Sequence, residues 1–182
     1  MQRKLLITGF VCCSLLAFAQ KQKGTKQQTV ENTTAKKDTT KVDYKSVGAP
    51  LPAMRVVTQK GKTYTNKDLK NDATLFVMLF NPTCEHCEEQ TEIFKENIAM
   101  FKNTKLVLMA GSMMMPYLDF FENAHKVSEY PKIIVGIDSS GFIDKTFLYN
   151  NLPQINIYNK DRKLERIFTG NVPMDSLAKY IQ

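Results

Sequence analysis

Histidine and cysteine are scarce in this chain, two of one and four of the other among 182 residues, and tryptophan is absent. A closed structural zinc site consumes four such ligands and has little to build from here. Long hydrophobic runs are missing as well. The longest apolar stretch, Leu5 to Leu16, is well short of the roughly 20 residues that span a bilayer, which excludes a multi-span membrane protein. No internal repeat is visible. A basic body is also lacking, although the formal net charge is +7. Residues 1–47 hold 9 of the 25 Lys/Arg and 3 of the 18 Asp/Glu, leaving 16 against 15 over residues 48–182. The basicity therefore belongs to the front of the chain, and nucleic acid is not an expected partner.

What is present begins with a leader. Met1-Gln2-Arg3-Lys4 is a basic start, Leu5–Leu16 an apolar core and Ala17-Phe18-Ala19 a small-x-small cleavage site, so residues 1–19 read as a signal peptide with the mature chain starting at Gln20. An uncleaved anchor is the alternative. A lipoprotein cut before Cys12 or Cys13 is another, poorly matched by the residues upstream. Export to the periplasm or cell envelope follows from this reading, and cleavage leaves Cys84 and Cys87 as the only thiols, in a compartment where disulfides persist.

Residues 20–47 are rich in Lys, Gln and Thr, too polar to offset the entropy of ordering, and read as a flexible stalk. Residues 48–182 read as one domain with a full core. Met54–Thr58 and Thr63–Thr65 suggest a hairpin, with Asn66 as N-cap of a short helix Lys67–Lys70. Leu75–Phe80 is apolar on both faces, as in a central strand. Helical stripes follow at Glu85–Phe101, Met115–Val127, Phe142–Leu148 and Pro173–Ile181, and strands at Lys105–Ala110, Ile133–Gly136, Gln154–Tyr158 and Leu164–Phe168. This alternation predicts an α/β sandwich with a mixed central sheet. Met113-Met114-Met115 reads as gap-filling core.

Cys84-Glu85-His86-Cys87 stands where the buried strand turns into a helix. The first sulfur then lies at a helix N-terminus, where free N–H groups and the dipole favour thiolate, and the second lies within reach to resolve a mixed disulfide. His86 would add positive charge and Glu85 negative charge beside that thiolate. The candidate catalytic pair is Cys84 and Cys87, with His86 and Glu85 as tuning residues. No cofactor or metal is called for.

These residues carry a resemblance. From Val47 to Gln182 the chain resembles the TlpA/ResA-like branch of the thioredoxin superfamily: a Gly-Ala-Pro-Leu-Pro entry, a Gly-Lys hairpin, Lys-Asp-Leu-Lys, a hydrophobic strand, CxxC, an extra strand-helix insertion and a proline-led strand with hairpin. The resemblance implies a thioredoxin-like three-layer sandwich. It also implies thiol-disulfide exchange with disulfide- or thiol-containing exported proteins, probed by a monomer that a membrane electron donor recharges. It places the cis-proline at Leu152-Pro153, facing the cysteines, with Leu152 and Gln154 lining the substrate groove. Two departures stand out. Pro82-Thr83 replaces the usual tryptophan, and Met78 stands where the family often keeps a buried acid that deprotonates the second cysteine, leaving Glu88 or solvent to substitute. A TlpA/ResA-like body implies a reductase, whereas a His in the dipeptide points to DsbA-like oxidation.

Three rivals remain open on the residues alone. Cys84, His86 and Cys87 are legitimate zinc or copper ligands, with His125 the only other histidine. Pro82-Thr83-Cys84 invites a peroxidase reading, although peroxiredoxins space these residues more widely. A staple disulfide in a binding module is the third, weakened because so short a loop constrains the unfolded chain little.

Overall fold

Leu75–Phe80 has no polar side chain, and all six residues are buried in the middle of a seven-stranded mixed sheet. The computed structural model describes residues 42–147 and 151–181; the leader, the stalk up to residue 41 and the end of the expected helix at Leu148 lie outside them. Thr40–Gln182 make one compact unit.

The strands are β1 (Arg55–Val57), β2 (Thr63–Thr65), β3 (Leu75–Phe80), β4 (Lys105–Ala110), β5 (Ile133–Asp138), β6 (Gln154–Tyr158) and β7 (Leu164–Thr169), in the order β2-β1-β5-β4-β3-β6-β7. Strands β3, β4 and β5 run parallel, while β6, β7 and the β1–β2 hairpin are antiparallel to their neighbours. Parallel strands covered on both faces must be apolar throughout, which is why β3 and β4 read as hydrophobic runs.

One face of the sheet, with Phe76, Met78, Phe80, Leu106 and Leu108, packs against α1 (Glu85–Glu96), α2 (Met115–Ala124) and α3 (Met174–Ala178). Its aromatic centre is a chain of edge-on contacts, Phe76 to Phe101 at 5.5 Å and Phe94 to Phe101 at 5.7 Å. The opposite face, with Leu75, Val77, Leu79 and Val107, is covered by Ala49, Met54, Leu69, Phe142, Ile143 and Phe147. Tyr44 also packs there, ahead of the boundary placed at Gly48. The expected three-layer α/β sandwich with a mixed sheet is the observed fold.

Several boundaries differ. The helix expected at Lys67–Lys70 is a turn. Asn66 does not cap it, because its Oδ1 accepts the Met54 N–H at 2.7 Å and its Nδ2 donates to the Pro52 carbonyl at 2.9 Å. Four residues also offer too little to repay helix nucleation. The helix expected to reach Phe101 ends at Glu96, where the Asn97 amide donates to the Ile93 carbonyl at 2.9 Å and the chain tightens into a 3-10 turn over Ile98–Phe101. α2 likewise stops at Ala124, followed by a 3-10 turn at Val127–Glu129. The segment Ile143–Phe147 is a π-helical turn, anchored where the buried Asp138 carboxylate accepts the Ile143 N–H at 2.8 Å.

Candidate active site

Because β3 and β4 are parallel and Phe80 lies beside Ala110, the segments that follow them leave the sheet at one edge. The antiparallel pairing of Leu79 with Gln154 brings the start of β6 to that same edge. Crevices outside the carboxyl ends of parallel strands are the usual ligand sites of such sheets.

The turn into α1 is fixed by Asn81, whose Oδ1 accepts the Thr83 N–H and the Thr83 hydroxyl, both at 3.0 Å. Cys84 follows as the N-cap residue, in extended conformation and partly exposed, and its carbonyl accepts the N–H groups of Cys87 at 2.9 Å and Glu88 at 3.1 Å. Its sulfur thus sits at the end of α1 where the helix dipole is positive. Cys87, one turn on, is completely buried in the core cluster that also holds Met78, Phe80 and Phe94. Both cysteines are free thiols, and the Cys84 sulfur is within hydrogen-bonding reach of the Cys87 thiol. Burial first and that hydrogen bond second push the Cys87 thiol far above the ordinary thiol range; a hydrogen bond with the Asn81 backbone opposes them, and the negative charges of Cys84 and Glu88 add lesser upward effects.

The two residues between the cysteines face outward. Glu85 is exposed. The His86 side chain, 65% exposed, pairs through Nδ1 with the Glu89 carboxylate at 3.2 Å. That hydrogen bond, and a second from Asn171, hold the Glu89 carboxyl below the usual carboxylate range. The His86 ring is therefore engaged by Glu89 on the helix surface rather than presented alone to Cys84.

The peptide bond Leu152–Pro153 is cis. Pro153 is buried and Leu152 is half-buried, packed against both core clusters. Gln154 is nearly buried, and its amide donates to Asn156 Oδ1 at 2.9 Å, so its side chain turns along the strand instead of into an open groove. Of the expected groove residues, Leu152 is the one left partly open to solvent at the edge.

Four further contributors emerge from the structure. The fully buried Gln90 accepts the Val172 N–H on Oε1 at 2.7 Å, Asn171 donates to Glu89, and the Gly170 N–H donates to the Pro153 carbonyl at 2.8 Å. The loop 170–172 after β7 thus ties the cysteine helix to the proline turn. Gln90 carried a signal, since with Thr91 it is a polar side chain on the buried helix face that Cys87 and Phe94 share. The fourth is His125, at the end of α2. Its Nδ1 lies 2.8 Å from Glu92 Oε1 and its Nε2 3.8 Å from Glu88 Oε2, with its ring stacked on Phe121 at 4.8 Å. A surface hollow of about 470 Å³ lined by Lys60, Lys62, Tyr64, Glu122 and Tyr130 includes neither cysteine.

No family model matches this chain, and no curated protein matches it. Solved structures do. The thioredoxin domain of a thiol-disulfide oxidoreductase from Bacteroides vulgatus superposes with a TM-score of 0.61 at 13% identity, covering 75% of this chain and 99% of that one. StoA from Bacillus subtilis superposes at 0.57 with 15% identity, over 71% and 96%. A secreted Mycobacterium tuberculosis disulfide oxidoreductase homologous to Escherichia coli DsbE gives 0.57 at 13%, over 70% and 92%. The chain has the thioredoxin-like fold of these thiol-disulfide oxidoreductases.

Proposed function

We propose that the protein is a thiol-disulfide oxidoreductase, working in the reducing direction on exported proteins in the periplasm or cell envelope. The observation that carries this reading is the placement of the partly exposed Cys84 at the N-cap of α1 with Cys87 buried one turn behind it. In the reaction, the Cys84 thiolate attacks one sulfur of a substrate disulfide and the other leaves as a thiolate. Cys87 then attacks Cys84, the mixed disulfide breaks, and the substrate departs with both sulfurs reduced while Cys84 and Cys87 become a disulfide. A membrane-held dithiol donor would return the pair to the reduced state.

Two features support the reducing direction. Cys87 is sheltered as a neutral thiol, which suits the dithiol state, and His86 is engaged by Glu89, which weakens the feature expected of an oxidant. Insulin reduction should be present in the purified protein and lost in Cys84→Ser, while Cys87→Ser should accumulate a covalent mixed disulfide visible by mass spectrometry. A wild type that fails to reduce insulin would sink the reading. A reduction potential near roughly −270 mV supports reduction, and one near roughly −120 mV reverses the direction.

A further inference from the structure

Strand β5 is paired with β4 from Ile133 to Ile137, but with β1 only at Ile137 and Asp138, opposite Val57 and Val56. Past Val57 the chain turns away from β5, with the Gly61 N–H donating to the Thr58 carbonyl at 2.9 Å. The Ser139 N–H donates to the Arg55 carbonyl at 2.9 Å, and the Lys132 carbonyl accepts the Leu106 N–H at 3.2 Å. The odd-numbered residues of β5 therefore turn their backbone groups to the β1 side and the even-numbered ones to β4. The Ile133 N–H is taken by the Tyr130 carbonyl at 2.9 Å. The Ile133 carbonyl and both backbone groups of Val135 are left facing a stretch of edge with no described strand opposite them. That stretch opens into the hollow of about 470 Å³ bounded by Lys60 and Lys62. A second hollow of about 330 Å³, sharing Tyr64, Pro131 and Ile134 with the first, is bounded by Lys102, Lys105 and Lys132.

An unpaired strand edge takes another extended backbone. The lining sets the charge of that backbone: five lysines stand against one carboxylate, Glu122. A second copy of the same edge would bring five more lysines and be repelled, so the chain does not supply its own occupant. Glu122 Oε1 is shut away from solvent without a hydrogen-bond partner among the described residues, an acceptor ready for an incoming N–H. We propose that this slot is a docking site for an extended acidic segment of a partner protein, which adds as a strand to the free edge of β5 and sets its carboxylates against the lysines. The slot lies where β4 and β5 begin, whereas Cys84 follows the end of β3, which runs parallel to them. The docked segment thus occupies the end of the sheet opposite the cysteines and leaves Cys84 open to its own substrate. The inference stands apart from the exchange reading, and no step of its test uses the cysteines.

The test adds a fluorescent peptide in which Glu alternates with Thr to the full chain and reads anisotropy. The peptide should bind, and more weakly as salt rises. A version methylated on every backbone nitrogen keeps its charges but cannot donate to the edge, and should bind roughly tenfold more weakly or worse. Lys60→Ala combined with Lys62→Ala, both exposed in the turn, should weaken the unmodified peptide about tenfold, the worth of two exposed ion pairs. On binding, hydrogen exchange at the Val135 amide should slow roughly tenfold or more, while exchange at Ile134, turned to β4, stays as it was. A peptide that does not bind overturns the proposal. So does a single-stranded oligonucleotide or dextran sulfate that binds as tightly as the peptide, because the slot would then be a surface for any polyanion. Unchanged exchange at Val135 in the wild type overturns strand addition, and that measurement decides the matter even where the double lysine variant fails to fold.

Discussion

A thiol held protonated by burial links redox chemistry to stability. The Cys87 pKa is raised in the folded chain, first by desolvation and then by its bond to Cys84, so the fold favours the neutral form. Its stabilising contribution is complete below the unfolded thiol pKa of about 8.5 and is lost as pH rises beyond it. The reduced protein should accordingly lose unfolding free energy above about pH 8.5, with a slope approaching 1.4 kcal/mol per pH unit. Urea titrations at a series of pH values check this, with Cys87→Ser as the reference whose profile stays flat in that window. Tyr158, buried with no hydrogen-bond partner for its hydroxyl, shifts in the same direction and adds its own loss only above about pH 10. A reduced wild type as flat as Cys87→Ser between these limits would contradict the account.

Single elements are joined by a few side chains that reach across the chain. Arg162, in the turn between β6 and β7, adopts a left-handed φ of 58° and sends its guanidinium to the carbonyls of Leu69 at 2.6 Å and Ala73 at 2.8 Å, and to Asn71 Oδ1 at 2.8 Å. It satisfies the loop that leads into β3. Replacing it with alanine should cost about 2–3 kcal/mol, since hydrogen bonds from a charged donor are lost and carbonyls are left unpaired. Chemical denaturation reads the loss, and a change below about 0.5 kcal/mol, typical of plain surface sites, would refute it. The same reach explains what the sequence could reveal. Strands β3, β4 and β6 were legible because local apolarity alone defines them, and the place of Cys84 was legible because strand, Pro82 and helix are contiguous. Resemblance, not composition, located Pro153. The start of α1 at Glu85 was legible, but its C-terminal end and the Asn66 turn were not, since Asn97 and Asn66 spend their side-chain amides on partners the local pattern does not name. Gln90 and His125 escaped for a related reason. Their roles exist only once α1 meets the loop 170–172 and the end of α2, contacts between residues tens of positions apart.

The whole molecule brings the site together from the two sides of β3. β4 pairs with one edge of that strand and β6 with the other, so Cys84 lies at a junction that forms only after β6, far along the chain, has docked. A chain ended before Leu152 keeps both cysteines and α1 but lacks Pro153, β6, β7 and the 170–172 loop. It should show no insulin reduction, and its thiols should titrate as an ordinary accessible pair, with Cys87 reacting as fast as Cys84; a sheltered Cys87 in that fragment would count against this dependence. Gln90 and Val172, joined across 82 positions, are the plainest mark of it. Their bond makes thiol reactivity a folding clock: during refolding, the moment Cys87 stops reacting with an added alkylating agent dates the closure of the last loop onto the first helix of the domain.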